Sequence, residues 1–288
     1  MTDPLRVLWD FDDLDATERR FRDLLATEPD DGIRAEVLTQ LARVYGLRGD
    51  FDEGERLIEE AEAIAGSEAR ATARIDLERG RLYRSSGDPP AALPLFVSAF
   101  EAASEADEPF LAIDAAHMAA LAAPDRNEML TWTRRGIELA ESADASVRYW
   151  LGPLLNNLGW EHFEAGEYEE ALGAFERGLR ERERYPENGS AIAIARYAVG
   201  KTLRALARPD GAVAMLEQAV AWTESERKPD GWFHEELAED YAALGRFAEA
   251  RTQARLALAL LPDADAAFES DEERRARLHR LARESEPA

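Results

Sequence analysis

Apolar residues recur at spacings of three and four along nearly the whole chain, in runs separated by short polar turns. That spacing is typical of helices that bury one face. Ala, Leu, Glu and Arg, which favour helix, fill most of the remaining positions. No stretch shows the alternation of apolar and polar residues that marks a half-buried strand. The pattern predicts an all-α protein.

One short phrase recurs at the predicted turns. A large residue is followed four positions later by Gly, then by an aromatic residue or Pro, and then by a small residue. In the last copy these residues are Tyr241, Gly245, Phe247 and Ala250, and other copies begin at Tyr45, Tyr83 and His162. A weaker copy begins at Leu203 and has Ala207 in place of Gly. Gly supplies the positive φ that ends a helix, and the small residue lets two helices approach closely. Each copy therefore predicts a helix, a tight turn and an antiparallel helix.

This phrase resembles the tetratricopeptide repeat family, and the resemblance covers nearly the whole chain. It is strongest in residues 155–178 and 237–262. Successive turns lie about 37 to 42 residues apart, whereas the family's usual period is about 34, so the units are similar to the long units of bacterial members. The resemblance implies a right-handed superhelical solenoid of antiparallel helix pairs.

The repeats predict one solenoid domain over residues 1–288 with seven units and a C-terminal capping helix. The first unit is partial, because its first helix is reduced to Pro4–Phe11 while its second covers Leu14–Leu25. The predicted units are 1–32, 33–69, 70–108, 109–146, 147–189, 190–229 and 230–262, and the predicted capping helix is 265–284.

Composition narrows the classes of function. The formal net charge of −24 disfavours binding to nucleic acid or to an anionic membrane. No cysteine occurs, which excludes disulfides and thiolate chemistry. The sequence has no leader-like start and no apolar run of about 20 residues, so we expect a cytoplasmic protein. Lys occurs only at Lys201 and Lys228 while Ala and Arg are frequent, a composition similar to that of GC-rich bacteria.

Candidate chemistry is sparse, and we predict neither an enzyme nor a bound cofactor or metal. The histidines His117, His162, His234 and His279 show no metal-binding spacing. The acidic segment 10–15 has Leu14 where a calcium loop needs a ligand, so we interpret it as the start of a helix.

The resemblance also implies a binding surface, because the first helix of each repeat lines the concave face in this family. The positions that match are rich in Arg, amides and aromatic side chains, which favours a protein segment carrying acidic groups. The predicted partner-binding residues are Arg43, Leu77, Arg81, Arg84, Met118, Asn156, Asn157, Trp160, Phe163, Tyr197, Lys201, Arg204 and Trp232. The competing interpretation is that these basic side chains only pair with neighbouring Glu residues.

The function implied by the resemblance is a non-catalytic scaffold or adaptor that binds a peptide or protein segment. Two alternatives remain open. The chain is a regulatory module that binds a small signal or peptide, or it is a scaffold that assembles with itself through its open ends.

Overall fold

The computed structural model describes residues 3–283, and between these residues it is entirely helical, with no strand. The helices alternate with tight turns, as the repeated phrase predicts. They are α1 (Leu14–Thr27), α2 (Asp31–Leu47), α3 (Phe51–Ala65), α4 (Ala69–Ser85), α5 (Pro89–Glu105), α6 (Pro109–Ala122), α7 (Arg126–Ser142), α8 (Leu151–Glu164), α9 (Tyr168–Arg182), α10 (Gly189–Ala205), α11 (Pro209–Ser225), α12 (Gly231–Ala243), α13 (Phe247–Ala264) and α14 (Glu272–Leu281).

The two ends of the chain differ from the expected helices. The segment Pro4–Phe11 contains only a 3-10 turn at Arg6–Leu8, and Asp13 then caps α1 by accepting a hydrogen bond from the Ala16 N–H at 2.8 Å. The capping helix predicted over 265–284 begins later, because α13 continues to Ala264 and a 3-10 turn at Phe268–Ser270 precedes α14. Glu284, the predicted last residue of that helix, lies outside the described residues.

Internal packing divides the chain into two compact units, Met1–Leu154 and Leu155–Ala288. The division falls inside α8. In the first unit, α1 to α4 bury a core that includes Phe21, Leu41 and Ile58. In the second unit, the core continues from Phe175 through Leu216 to Leu261. That the whole chain forms one domain stays a prediction.

Four of the predicted turns use glycine in the expected way. Gly49, Gly87, Gly166 and Gly245 all have φ between 72° and 97°. In the weaker copy of the phrase Ala207 takes the same conformation, with φ of 56°, although it carries a Cβ. The turn between α10 and α11 therefore forms without glycine.

Close approach of two helices determines a second glycine position. A Cβ added to Gly159 on α8 would overlap the ring of Phe175 on α9, and that ring is buried. By contrast, a Cβ added to Gly173 on α9 would have no neighbour within 4 Å. The two glycines thus lie on the same helix pair, but only Gly159 lacks room for a side chain.

We expect Gly159→Ala to lower the free energy of unfolding by about 1–3 kcal/mol, because the Phe175 ring must move out of a packed core. The control Gly173→Ala should raise it by about 0.5–1 kcal/mol, because alanine favours helix. Urea denaturation followed by circular dichroism measures both. Equal effects of the two substitutions would contradict the close packing at Gly159.

None of the helices in the described part of the chain is both long enough and apolar enough to cross a membrane.

Candidate functional site

A groove of about 600 Å³ lies in the second unit, between side chains of α8, α10, α12 and α14. We call it the unit 2 groove. Its volume is in the range of roughly 300–1,000 Å³ that is usual for ligand sites. The lining residues are Trp160, Ile194, Tyr197, Lys201, Arg204, Asp230, Trp232, Phe233, Glu235, Glu236, Arg274 and Arg277. Five of the residues predicted from the sequence are among them: Trp160, Tyr197, Lys201, Arg204 and Trp232.

Helical spacing brings these side chains to one surface. On α10, Tyr197, Lys201 and Arg204 follow Ile194 at three, seven and ten positions, which places all four on one face. The start of α12 is held by Asp230, whose carboxylate accepts hydrogen bonds from the N–H groups of Trp232, at 2.9 Å, and Phe233. The groove is therefore built on helices rather than on loops.

Aromatic side chains form one wall of the unit 2 groove. The ring of Tyr197 stacks on that of Phe233 with centroids 5.0 Å apart, and its centroid lies 6.4 Å from that of Trp160. Trp160 also packs edge to face on the buried ring of Phe175 at 5.1 Å. Ile194 is 45% exposed beside them. The wall combines fixed rings with one open aliphatic side chain.

The basic residues of the unit 2 groove are paired with acids on α12. Glu236 is buried and accepts hydrogen bonds from Lys201 Nζ at 2.5 Å and from Arg204 Nε at 2.6 Å. Burial alone would raise the pKa of Glu236, but the charges of Lys201 and Arg204 outweigh burial and hold this pKa below its ordinary value. Glu236 is therefore an anion that positions two cations.

A second set of pairs comes from α14. Arg274 donates to both carboxylate oxygens of Glu235, at 2.8 Å from Nε and 2.5 Å from Nη2, and Nη1 donates to Asp265 at 2.7 Å. Arg277 bonds Glu235 at 3.2 Å and also Glu239. The capping helix therefore contributes directly to the groove, in addition to covering the last apolar face.

These pairs agree with the competing interpretation, in which the basic side chains pair with Glu residues. Four basic and three acidic side chains line the groove. The basic and acidic side chains of a pair differ in burial, however. The side chain of Arg204 is 38% exposed, whereas that of its partner Glu236 is 4% exposed. The same holds for Arg277 at 40% and Glu235 at 7%. In these two pairs the acid lies deeper, and Arg204 and Arg277 face outward.

The other predicted residues of the second unit lie beside the groove. Phe163 packs on Trp160 and Tyr168, with centroids 5.5 and 5.2 Å away. Asn156 and Asn157 on α8 are half-buried. Asn156 Oδ1 is buried and has no hydrogen-bond partner among the described residues.

The remaining predicted residues lie in the first unit, where their positions vary. Arg43 and Arg81 line a separate cavity. Arg84 on α4 makes a long hydrogen bond of 3.4 Å to the carbonyl of Leu121. Leu77 and Met118 are only 1% and 8% exposed, so they belong to the core and not to a surface that a partner could contact. The register taken from the family turned them outward, whereas these helices turn them into the packing.

Sequence reasoning missed several side chains of the unit 2 groove. Ile194 is three residues before Tyr197, and this spacing could have identified it. Arg274 and Arg277 are also three residues apart on the last helix, which is the spacing that puts two side chains on one face. Glu235 and Glu236 could not be assigned as partners from the sequence, because the cations they bind lie more than 30 residues away.

Two of the histidines, His234 and His162, contact neighbouring polar side chains. His234 is buried, and its Nδ1 lies 2.6 Å from Gln253 Oε1, while His162 Nδ1 lies 2.5 Å from Glu167 Oε2. Within residues 3–283, no three His, Asp or Glu side chains are grouped so that they could hold a metal ion.

Family models match three stretches that include both units. Models described as tetratricopeptide repeat match residues 33–105, 154–185 and 231–261. The chain is a tetratricopeptide repeat protein. No curated protein matches the sequence of this tetratricopeptide repeat protein. The family is one whose members typically mediate protein–protein contacts without catalysis.

Solved structures show the same fold at low identity. The apo form of RapI has 13% identity and a TM-score of 0.71, over 92% of this chain and 74% of that one. The apo form of the quorum sensor NprR from B. thuringiensis has 12% identity and a TM-score of 0.57, over 96% and 85%. A signal transduction ATPase, PH0952 from Pyrococcus horikoshii, has 15% identity and a TM-score of 0.72. This tetratricopeptide repeat protein spans 45% of that ATPase, which is described as having a tetratricopeptide repeat sensor. The predicted fold class, an all-α tetratricopeptide-type solenoid, is confirmed.

Proposed function

We propose that this tetratricopeptide repeat protein is a non-catalytic interaction module that binds a segment of another protein in the unit 2 groove. The observation that carries the proposal is the exposed Ile194 beside rings that are already held in place, in the same groove as the outward-facing Arg204 and Arg277. Aromatic and arginine side chains dominate the energetics of protein interfaces.

The chemistry of the groove defines the partner. An apolar side chain of the bound segment would cover Ile194 and the edge of Trp160, which removes apolar surface from water. A carboxylate of the segment would face Arg204 or Arg277, since guanidinium groups bind carboxylates with paired hydrogen bonds. We therefore propose a segment that combines an apolar anchor with an acidic group. The lack of cysteine and the acidic composition fit a cytoplasmic setting.

A regulatory role is the second candidate. Two of the similar structures are described as a quorum sensor and as a protein with a repeat sensor. In such a role the bound segment would be a peptide that carries a signal between cells or proteins, and the groove would bind it through the same side chains. The chemistry of recognition is the same for both candidates, so one binding experiment tests it.

We expect Ile194→Asp to weaken binding of a segment to the unit 2 groove by about 30-fold or more, because it puts a charge where an apolar anchor is needed. The experiment selects peptides from a random displayed library on the full chain and measures their affinity by fluorescence polarisation. Leu256→Asp is the matched control, since Leu256 on α13 is 38% exposed, close to the value for Ile194, and does not line the groove.

The control should change affinity less than about twofold, because its surface takes no part in binding. Peptides that bind equally well to wild type and Ile194→Asp, yet lose affinity with Leu256→Asp, would move the site to α13. Peptides that lose affinity equally with both variants would show a general effect on folding.

A further inference from the structure

The first unit contains a smaller cavity that the unit 2 groove does not share. It has a volume of about 250 Å³ and lies between the N-terminal segment, α2, α4, α6 and the turn before α8. We call it the unit 1 cavity. Its volume is below the roughly 300–1,000 Å³ of sites for drug-sized ligands, so its occupant must be small.

Two of the four arginines that line the unit 1 cavity are fully paired. Arg74 donates to Asp3 and to Glu36. Arg81 donates to Glu78 at 2.6 Å and to Asp114 at 2.5 Å. These guanidinium groups already have carboxylate partners, so a ligand would gain little from them.

Arg43 differs from both. It makes no hydrogen bond with any described residue, and its nearest carboxylate oxygen is Glu78 Oε1, 3.7 Å from Nη1. Burial lowers the pKa of Arg43, and the positive charge of Arg81 lowers this pKa further. Its side chain is nevertheless 26% exposed at the cavity. Arg43 is thus a guanidinium whose hydrogen-bond donors are free to bind an anion.

Flat aromatic surfaces surround Arg43. Its guanidinium lies over the rings of Trp9 and Phe11, 5.2 and 5.6 Å from their centroids. Those two rings stack 4.8 Å apart, and Trp9 Nε1 donates a hydrogen bond of 2.9 Å to Gln40 Oε1, which holds its ring in place. The rings of Trp9 and Phe11 therefore hold the guanidinium of Arg43 in position without using its N–H donors.

Phe110 and Trp150 form another part of the cavity lining. Their centroids are 5.9 Å apart, with the rings edge to face. The indole N–H of Trp150 is buried and has no acceptor among the described residues. A buried donor without an acceptor is costly, which favours an additional polar atom near this wall when the site is occupied.

We propose that the unit 1 cavity binds a small aromatic carboxylate, with its carboxylate on Arg43 and its ring against the aromatic side chains of the lining. The neutral relatives of such a compound lack the anion that Arg43 needs, and larger anions exceed the volume. The same chemistry occurs in two sources, a free small molecule and the C-terminal residue of a peptide that ends in Phe. The proposal is independent of the unit 2 groove.

Isothermal titration calorimetry of the full chain with 3-phenylpropionate tests the proposal. The neutral amide of 3-phenylpropionate serves as the ligand control. We expect saturable binding of the acid and a loss of about tenfold or more for the amide, because the charge-assisted hydrogen bonds disappear. Arg43→Gln should cause a similar loss. Arg19→Gln, which removes an exposed arginine of α1 outside the cavity, should leave the affinity unchanged.

The tripeptide Gly-Gly-Phe distinguishes the two sources. Tighter binding of the tripeptide, with the same dependence on Arg43, would assign the site to a peptide terminus, whereas tighter binding of the free acid would assign it to a small molecule. Both results support the site. The absence of binding by both probes at about 1 mM, or equal affinities of the Arg43→Gln and Arg19→Gln variants, would overturn it. Circular dichroism melting of each variant establishes that the loss does not come from unfolding.

Discussion

Replacing Arg74 with Met is expected to lower the free energy of unfolding by about 3–5 kcal/mol. Arg74 is one of the largest fully buried side chains, with 2% of its surface exposed. Its guanidinium bonds Glu36 Oε2 at 2.5 Å and also Asp3, and both carboxylates are themselves buried. Without Arg74, two anions remain in the interior without their main cation.

The neighbouring Arg70 limits the damage. It lies 2.9 Å from Glu36 and 3.7 Å from Asp3, so it still neutralises part of the charge. We therefore expect the result near the lower end of the range, at about 3 kcal/mol.

The control for this experiment is Arg56→Met. Arg56 also bonds two carboxylates, those of Glu53 and Glu60, but its side chain is 55% exposed. Exposed pairs of this kind contribute little, so we expect no measurable change in the free energy of unfolding. Urea denaturation at neutral pH measures both variants. A loss below about 1 kcal/mol for Arg74→Met would contradict a buried ion cluster that is essential to the first unit.

Asp240→Asn is expected to remove a dependence of stability on pH in the second unit. Asp240 on α12 is fully buried, and neither carboxylate oxygen has a hydrogen-bond partner among the described residues. Burial raises the pKa of Asp240 to about 7, the charge of Arg204 opposes this rise, and the charges of Glu236 and Glu239 add to it. The folded protein therefore holds this proton more tightly than the unfolded chain, where the pKa is near 3.8.

The direction of the effect follows from this difference. The stabilising contribution of protonated Asp240 is fully present below about pH 4 and is lost as the pH rises to about 7. The rise of the Asp240 pKa from 3.8 to about 7 corresponds to about 4 kcal/mol in the free energy of unfolding. We expect about 2 kcal/mol, because water penetration and relaxation reduce the cost of burying the charge. At pH 8, Asp240→Asn should therefore be more stable than wild type, while at pH 4 this advantage should be absent.

Urea denaturation at pH 4, 6 and 8 checks the prediction. The exposed Asp263→Asn, on the neighbouring α13, is the control and should follow the wild-type profile. A variant Asp240→Asn with the same pH profile as wild type would show that this carboxyl is ionised in the folded protein throughout the range.

Much of the fold followed from local signals. Gly49 and Gly87 marked turns because the positive φ there favours glycine, and the spacing of Tyr197, Lys201 and Arg204 put them on one face of a helix. These signals act within one or two helical turns, so a single sequence displays them directly. They were sufficient for five side chains of the unit 2 groove.

Contacts between residues far apart in the sequence could not be predicted from such local patterns. The pairing of Arg204 with Glu236 joins residues 32 apart, and no pattern within either helix specifies it. Leu77 was placed on the surface because the register was taken from the family, whereas its burial depends on the neighbouring helices. The acid that pairs with Lys201 and Arg204 could not be assigned for the same reason, since it lies on another helix.

Photo-crosslinking in the native cell tests the central claim, that the unit 2 groove binds a segment of another protein, most directly. A benzophenone side chain is introduced at position 194 in one variant and at position 256 in another, and adducts are identified by mass spectrometry. Binding in the groove predicts that position 194 captures a defined protein, through a stretch with apolar and acidic residues, and that position 256 does not. Capture at position 256 alone, or the same adducts from both positions, would contradict it.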